Sequence, residues 1–210
     1  MASTAGDAPA RLQTSRVIVV SFPEAATPAE VRRQIRELQD QAWTALDTGD
    51  GAAAATPVHD PALLPQTMAL VEGDVVVAAL DILTKDVDHA GHRFRAGGLS
   101  TVVTRVDRRR HGYGHRLVRH AREVMAQTGH DLGIFTCDRP LRRFYERAGW
   151  EHLPGTVLVG GTRESPFPSD QAAFDKVTMG AFFSTPARRA RRTFDGARVE
   201  LYPGTIDRLW

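Results

Sequence analysis

The chain has 210 residues, of which 42% are hydrophobic and 25% charged, and its formal net charge is +2. This composition is typical of one globular domain with a sizeable core, and the charge is too small for a dedicated nucleic-acid binder. Cys137 is the single cysteine, which excludes an intrachain disulfide and a multi-cysteine zinc site. The apolar runs are too short to span a membrane, and the N-terminus does not resemble a signal peptide. We therefore expect a cytoplasmic protein without a metal, nucleic-acid or membrane partner.

The first half of the chain has β-branched runs and one segment of helical periodicity, after an aperiodic stretch at residues 1–15 that predicts a loose tail. A single domain is expected over residues 16–210. Thr27 and Glu30 have the spacing of a capping box, which predicts the start of the helix. A polar hairpin tip is expected at residues 85–93. The other predicted elements are, in order, a strand at 16–22, a helix to about residue 47, a loop at 49–57, and a hairpin of strands at 67–71 and 75–83.

The second half continues the alternation of strands and helices. Gly129 ends one predicted helix, and Asp138 with Pro140 predicts the start of a shorter one. Residues 184–193 show no decisive pattern. The predicted elements are, in order, a strand at 97–106, a helix at 112–128, a strand at 131–136, a helix at 141–148, and strands at 157–160, 175–183 and 198–202. This order indicates an α/β protein with a mixed sheet and helices on its faces.

An Arg- and Gly-rich turn joins the strand at 97–106 to the helix that follows it. It reads Arg109-Arg110-His111-Gly112-Tyr113-Gly114. Glycines there let a ligand approach the backbone amides, while the helix N-terminus and the arginines favour an anion such as a pyrophosphate. Leu117 stands where a dinucleotide-binding motif needs its third glycine, and no Gly-Lys-Ser/Thr follows. Taken alone, the motif also fits a plain strand-to-helix turn.

The turn and a later segment together resemble a known family. Arg109-x-x-Gly112-x-Gly114 matches the Arg/Gln-x-x-Gly-x-Gly/Ala motif of the GCN5-related N-acetyltransferases (GNAT), with a strand before it and a helix after it. Residues 141–150, Leu-Arg-Arg-Phe-Tyr-Glu-Arg-Ala-Gly-Trp, resemble the closing signature of that family. The resemblance covers residues 66–152 well and 16–66 loosely. It implies the GNAT fold, a single central mixed sheet of about seven strands with helices on both faces and a splayed cofactor cleft.

The resemblance also implies that the chain binds acetyl-coenzyme A (acetyl-CoA) and acetylates an amine. Tyr145 stands where many members carry the acid that protonates the departing thiolate. Relatives often carry a glutamate base on the strand before the turn, but this sequence has Ser100 near that point, so no base is assigned. The implied cofactor contacts are the pantetheine-binding strand end Val102, Val103 and Thr104 and the pyrophosphate-binding turn Arg109, Arg110, His111, Gly112, Tyr113 and Gly114.

The C-terminal end resembles that of the aminoglycoside 2′-N-acetyltransferases, which end on an Asp, a short spacer and a terminal Trp. Asp207 and Trp210 have this arrangement with one residue more between them, and Asp60 has the position of a further acidic substrate contact. The resemblance implies an aminosugar acceptor, held by Asp60, Ser100, Asp207, Trp210 and the terminal carboxylate. The departures from the pattern point to a smaller aminoglycoside, such as kasugamycin, as a candidate acceptor. A polycationic sugar needs carboxylates beside a basic cofactor site, and Asp81 is a further candidate.

Other interpretations of the same residues stay open. The fold could serve another small amine or a peptide N-terminus, or it could be a non-catalytic acyl-CoA-binding module, although the complete glycine motif and Tyr145 argue against the module. Asp60 also fits a cap, and Asp207 with Trp210 fits a polar tail with one packed aromatic ring. The arginines of residues 188–192 fit a solvated loop or a cofactor contact. The oligomeric state is open, with a homodimer as one candidate.

Overall fold

The structure is a computed structural model that describes residues 16–43, 58–172 and 174–210. The tail predicted at residues 1–15 and the loop predicted at 49–57 lie outside the described residues. The helices are α1 (Ala29–Ala42), α2 (Tyr113–Gln127), α3 (Arg142–Arg147) and α4 (Thr185–Ala190). The strands are β1 (Val17–Pro23), β2 (Gln66–Glu72), β3 (Val75–His89), β4 (His92–Thr104), β5 (Leu132–Asp138), β6 (Glu151–His152), β7 (Val157–Gly161), β8 (Pro166–Pro168), β9 (Lys176–Phe182) and β10 (Arg198–Glu200).

Seven strands form the central sheet, in the order β1-β2-β3-β4-β5-β9-β6. Neighbouring strands are antiparallel except β4 and β5, which run parallel. Side chains alternate between the two faces of a strand, so the sheet offers an apolar surface on each side. Ile35 and Leu38 of α1 pack on one face with Val103, while Leu117 and Met125 of α2 pack on the other. The predicted mixed α/β fold with helices on both faces is confirmed.

The structure adds a second, three-stranded sheet to the single sheet that the sequence predicts. Its order is β10-β7-β8, with β7 parallel to β10 and antiparallel to β8. Leu158 of β7 and Val199 of β10 are buried in the main core, which fixes this sheet against the central one. The residues that follow β10 are thereby brought back toward the middle of the central sheet.

The N-terminal cap predicted for α1 is wrong. Pro28 rather than Thr27 stands at the cap position, and among the described residues no side chain makes a capping hydrogen bond to this helix. The Glu30 carboxylate instead accepts hydrogen bonds from Arg33 and from Gln34, one turn further along the helix. Because Pro28 holds the cap position, Glu30 is the second helical residue rather than the third, and the reciprocal capping box does not form. The helix ends at Ala42, earlier than residue 47.

The hairpin tip predicted at residues 85–93 is also wrong. β3 continues to His89 and β4 begins at His92, so Ala90 and Gly91 alone make the turn, both with positive φ. In the longer strands Val87 lies opposite Phe94, and both side chains are buried. Within the described residues, no helix is long and apolar enough to cross a membrane.

Two further segments differ from the sequence prediction. Asp138 makes no capping hydrogen bond, because its carboxylate pairs with Lys176 at 2.7 Å, and a 3-10 turn precedes α3. The undecided stretch at residues 184–193 contains α4, which Ser184 caps through the backbone amide of Ala187.

Candidate active site

The central sheet splays where β4 and β5 meet. These two strands pair only through Ala96 with Leu132 and Gly97 with Gly133. Beyond those pairs the strands diverge, so the end of β4 keeps backbone groups that β5 does not bind. The splayed cleft that the resemblance implies is therefore present at the centre of the sheet.

A bulge on β4 shapes the wall of this cleft. Ala79 pairs with Val103 and Asp81 pairs with Ser100, so two residues of β4 lie opposite one residue of β3. Thr101, one of the two, has a φ of 49°. A β-branched residue in this left-handed region is rare and costs about 1–3 kcal/mol, which the surrounding contacts must offset.

A cavity of about 690 Å³ lies between the end of β4, the start of α2 and α3. The predicted cofactor residues other than His111 line it, and the imidazole Nδ1 of His111 lies 3.0 Å from the carbonyl oxygen of Arg109. Four arginines supply positive charge along its wall: Arg109, Arg110, Arg143 and Arg147. Cations beside the free amides of a helix N-terminus fit the phosphates of a coenzyme A.

Gly112 and Gly114 serve different purposes in this cavity. Gly112 has a φ of 79°, and a Cβ added there would meet nothing within 4 Å, which leaves open space for a ligand. A Cβ on Gly114 would lie 2.6 Å from Thr104 Oγ1, so this glycine lets α2 pack closely on β4. Gly112 thus keeps the turn open to a ligand, and Gly114 lets the start of α2 lie close to the sheet.

A second cavity, of about 880 Å³, lies on the other side of Tyr145. Ser100, Thr101 and Trp210 are part of its wall. Its aromatic lining residues are Trp43, Tyr145, Phe167, Phe174 and Trp210. The residues that it shares with the smaller cavity are Ala42, Val102, Leu141 and Tyr145. The two cavities therefore adjoin at these four residues, of which only Tyr145 carries a polar side chain.

Tyr145 is buried at this junction with its proton firmly held. Its ring packs edge-on against Phe135 and Phe144, each with a centroid distance of 5.0 Å. Burial is the main reason that the pKa of its phenol lies above the usual value, and the neighbouring Cys137 and Asp138 add to the effect. The hydroxyl has no hydrogen-bond partner among the residues that the structure describes. A neutral, uncommitted phenol can donate a proton to a group in either cavity.

Cys137 lies beside Tyr145 as a buried strand-end residue. Burial raises the pKa of its thiol to about 12, and the charge of Asp138 contributes to the shift. A thiol with this pKa remains protonated at neutral pH, so it is a poor nucleophile.

The C-terminal segment closes the splay between β4 and β5. A Cβ on Gly160 would lie 1.5 Å from the Arg208 carbonyl oxygen, and the Gly161 amide donates to that oxygen at 2.9 Å. The Trp210 indole lies flat on Gly98, and its carbonyl oxygen accepts a hydrogen bond from the Thr136 amide at 3.1 Å. Glycines inside strands thus provide the close approach that seats this segment.

The structure does not bring Asp60 and Asp207 onto the wall of either cavity. Asp60 caps a short 3-10 turn, where its Oδ1 accepts from the Ala62 amide at 2.9 Å. Asp207 is buried, and its two oxygens bind His59 Nδ1 at 2.5 Å and the Asp60 amide at 2.9 Å. The Asp207 carboxylate thus ties the C-terminal segment to the chain at His59 and Asp60, whereas the Asp60 carboxylate caps the turn that follows. Of the predicted substrate contacts, Ser100 and Trp210 line the larger cavity.

His59 is a buried residue of this region that the sequence analysis missed. Burial alone would lower the pKa of its imidazole, but the contacts with Asp207 and Asp81 outweigh burial and raise it to about 10. Asp81 is buried too, with Thr67 and Thr101 donating to its two oxygens. A carboxylate within the apolar run of β3 is a signal for a buried charge that needs partners, whereas nothing in the sequence marks His59. Among the described residues, no group of His, Cys, Asp and Glu is arranged to hold a metal ion.

Comparison with known proteins decides the family. The model of the acetyltransferase (GNAT) domain matches residues 24–153, more than half of the chain. The chain belongs to the GNAT acetyltransferase family. It is therefore an enzyme of the acyl-transfer class, and its fold implies an acyl-CoA donor. No curated protein matches the chain.

Several solved structures share the fold at low sequence identity. ElaA of Escherichia coli is 11% identical with a TM-score of 0.54, and the match covers 79% of this chain and 99% of that one. An acyl-CoA N-acyltransferase from Pseudomonas aeruginosa is 14% identical with a TM-score of 0.53, at the same coverage of 79% and 99%. An acetyltransferase from Streptococcus agalactiae is 13% identical with a TM-score of 0.51, covering 79% and 98%.

Proposed function

We propose that this GNAT enzyme transfers the acetyl group of acetyl-CoA directly to a primary amine of an aminosugar, within a ternary complex. The observation that carries the proposal is the position of Tyr145, where the basic cavity meets the aromatic one. Donor and acceptor bound on the two sides of this residue would have their reacting groups adjacent. The protonated Cys137 thiol beside Tyr145 supports direct transfer, because an acyl-enzyme would need a reactive thiolate there.

In this proposal the smaller cavity binds acetyl-CoA, which supplies the activated thioester. The backbone of Val102, Val103 and Thr104, left unpaired by β5, binds the pantetheine arm. The open turn at Gly112 and the arginines around it bind the phosphates. The shape and charge of the cavity support this assignment, because coenzyme A combines a polar arm with several negative charges.

Tyr145 acts as the general acid in the proposed mechanism. Its hydroxyl holds its proton at neutral pH and is not committed to another group, so it can protonate the thiolate that leaves when the thioester breaks. Acids positioned in this way contribute about 10²- to 10⁴-fold to the rate.

The larger cavity takes the aminosugar in this proposal. An aminosugar is the acceptor that the resemblance to aminoglycoside 2′-N-acetyltransferases implies. Aromatic rings on several sides suit the apolar faces of a sugar, and the Ser100 hydroxyl can bind one of its polar edges. Asp138 supplies a carboxylate on the wall. Asp60 and Asp207 would act through the C-terminal segment, by keeping Trp210 in place.

A specific observation favours a second candidate, a small amine with an aromatic or apolar group. The side-chain carboxylate on the larger cavity's wall, that of Asp138, is paired with Lys176, and Arg208 stacks on Phe167 in the same wall. The side chains of this cavity offer a polycation little free negative charge, while its five aromatic rings suit an apolar amine. A peptide N-terminus belongs to the same alternative.

A thiol-release assay with acetyl-CoA tests the proposal across an amine panel of kasugamycin, gentamicin, spermidine and tyramine. We expect the aminoglycosides to have the highest kcat/KM, with acetylation of one amine shown by mass spectrometry. Tyr145→Phe serves as the control, because it removes the acid and leaves both cavities intact. A preference for tyramine would replace the aminosugar by the second candidate. Binding of acetyl-CoA without turnover of any amine would support the non-catalytic module.

A further inference from the structure

A buried carboxylate lies directly behind the wall of the larger cavity. Asp81 Oδ2 accepts a hydrogen bond from Thr101 Oγ1 at 2.5 Å, and Asp81 Oδ1 accepts one from Thr67 Oγ1 at 2.6 Å. Thr101 lines the larger cavity, whereas Asp81 and Thr67 line a third cavity, on the side of α1. The Thr101 hydroxyl therefore connects the acceptor cavity to a carboxylate that does not line its wall.

Asp81 shares one neighbouring imidazole with a second buried carboxylate. The His59 imidazolium lies between two carboxylates, with Nδ1 2.5 Å from Asp207 Oδ1 and Nε2 3.5 Å from Asp81 Oδ2. One positive charge thus faces two negative ones, and the closer contact is with Asp207. The charged groups that face Asp81 from the surrounding elements are His59, Asp207, Glu24, and Arg32 and Arg36 of α1.

The backbone at Thr101 is a second, independent sign of function. Its φ of 49° is unfavourable for a β-branched residue, and it occurs at the bulge that lines the acceptor cavity. Strained residues of this kind persist where the surrounding structure holds them, and they concentrate at functional sites. Here the hydrogen bond to Asp81 fixes the Thr101 hydroxyl at the cavity wall.

We infer that Thr101 and Asp81 form the proton-accepting side of the acetyl transfer. Before attack, one N–H bond of the acceptor's ammonium form breaks and the Thr101 oxygen takes that proton. The Thr101 O–H bond breaks in the same step, and its proton passes to Asp81 Oδ2, which later releases it to solvent. The neutral amine then attacks the thioester carbon, Tyr145 protonates the thiolate as the C–S bond breaks, and the second proton lost by the attacking nitrogen restores the Tyr145 hydroxyl. Thr101 is then a catalytic residue and Asp81 the acceptor that acts through it.

The inference depends on amine acetylation, which is the reaction of the family, and not on the aminosugar. Its test therefore uses two small acceptors of nearly equal size, ethylamine and 2,2,2-trifluoroethylamine. Ethylamine is almost fully protonated at pH 7, whereas trifluoroethylamine is largely neutral there. A proton acceptor in the enzyme should matter far more for ethylamine.

Thr101→Val and Thr67→Val make a matched pair, because each removes one hydroxyl that donates to Asp81. We expect Thr101→Val to lower kcat/KM for ethylamine by about 10²-fold or more. For trifluoroethylamine the loss should be less than about threefold, because only ethylamine must lose a proton before it can attack. Thr67→Val should change both rates by less than about fivefold, since its hydroxyl is not on the path. Acetyl-CoA affinity, measured by calorimetry, should be unchanged in both variants and shows that they fold.

The pH profile separates a proton path from a structural role. With Thr101→Val, kcat/KM for ethylamine should rise about tenfold per pH unit, because the amine must lose its proton in solution first. Thr101→Ser should restore the wild-type profile. Equal losses with the two amines, equal losses in the two threonine variants, or an unchanged profile in Thr101→Val would each overturn the inference. Turnover of ethylamine with no turnover of aminoglycosides would overturn the aminosugar proposal and leave this one standing.

Discussion

The two cavities that meet at Tyr145 are built in different ways. The cofactor cleft comes mainly from two neighbouring pieces of chain, the end of β4 with the turn after it and the α3 region. The acceptor cavity combines the end of α1, β4, β5, β9, the region around Phe167 and Phe174, and the C-terminal residues 205, 206 and 208–210. The first is distinguished by four arginines and an open glycine turn, and the second by five aromatic side chains.

This difference has a physical basis. A phosphate is recognised by amides at a helix start and by positive charge, and a short motif can specify both. An acceptor amine is recognised by the shape and charge of a cavity, which distant segments must assemble together. A variant should therefore affect donor and acceptor separately, except at the junction.

The largest effect is expected where the two cavities meet. Tyr145→Phe keeps the packing against Phe135 and Phe144 and removes the hydroxyl that can protonate the thiolate. We expect kcat to fall by about 10²- to 10⁴-fold, with the Kd of acetyl-CoA unchanged by calorimetry. A wild-type kcat under conditions where chemistry limits the rate would remove Tyr145 from the mechanism.

The second largest effect is expected on the stability of the fold. The ionic cluster of His59, Asp81 and Asp207 lies behind the acceptor cavity, so its titration tests that side of the molecule alone. The pKa of His59 is raised to about 10 in the folded protein, so its stabilising contribution is complete below the unfolded pKa, near 6.5. That contribution is lost as the pH rises through about 10, and it amounts to roughly 5 kcal/mol. Urea unfolding at pH 6, 8 and 10 measures it. His59→Gln should remove most of this pH dependence, and an unchanged slope would contradict the assignment.

A third variant separates the cleft from the cavity. Gly112→Asp places a carboxylate in the open turn, and we expect the Kd of acetyl-CoA to rise at least about tenfold, or 1.4 kcal/mol. Gly129→Asp is the matched control, because Gly129 has a φ of 81°, has equally open surroundings and lies at the other end of α2. Both variants carry the same backbone strain, so equal affinities by calorimetry would mean that the turn does not bind phosphate.

The smallest effect concerns the acceptor alone. Asp138→Asn removes the side-chain carboxylate on the wall of the larger cavity, where it is partly exposed and paired with Lys176. Exposed ion pairs contribute up to about 1 kcal/mol, so KM for kasugamycin should rise about two- to fivefold. The Kd of acetyl-CoA should not change. A KM that stays constant would favour an apolar amine over the aminosugar.

The cofactor side could be predicted because its signals are local. The turn at residues 109–114, the helix after it and the segment around Tyr145 are contiguous motifs, and the structure places them around one cavity, with His111 turned aside. The errors in the fold arose where one local signal competed with another. Thr27 and Glu30 had the right spacing for a cap, but Pro28 holds the cap position instead.

The sequence by itself determined the mixed α/β order, the family motif and the acid candidate, because each depends on residues close together in the chain. Only the tertiary structure decided that Asp207 binds His59, that Trp210 packs on Gly98 and that Thr101 reaches Asp81. These contacts join residues up to 148 positions apart. A buried charge takes whichever partner the fold brings near, because leaving it unpaired is costly, and spacing along the chain does not encode that choice.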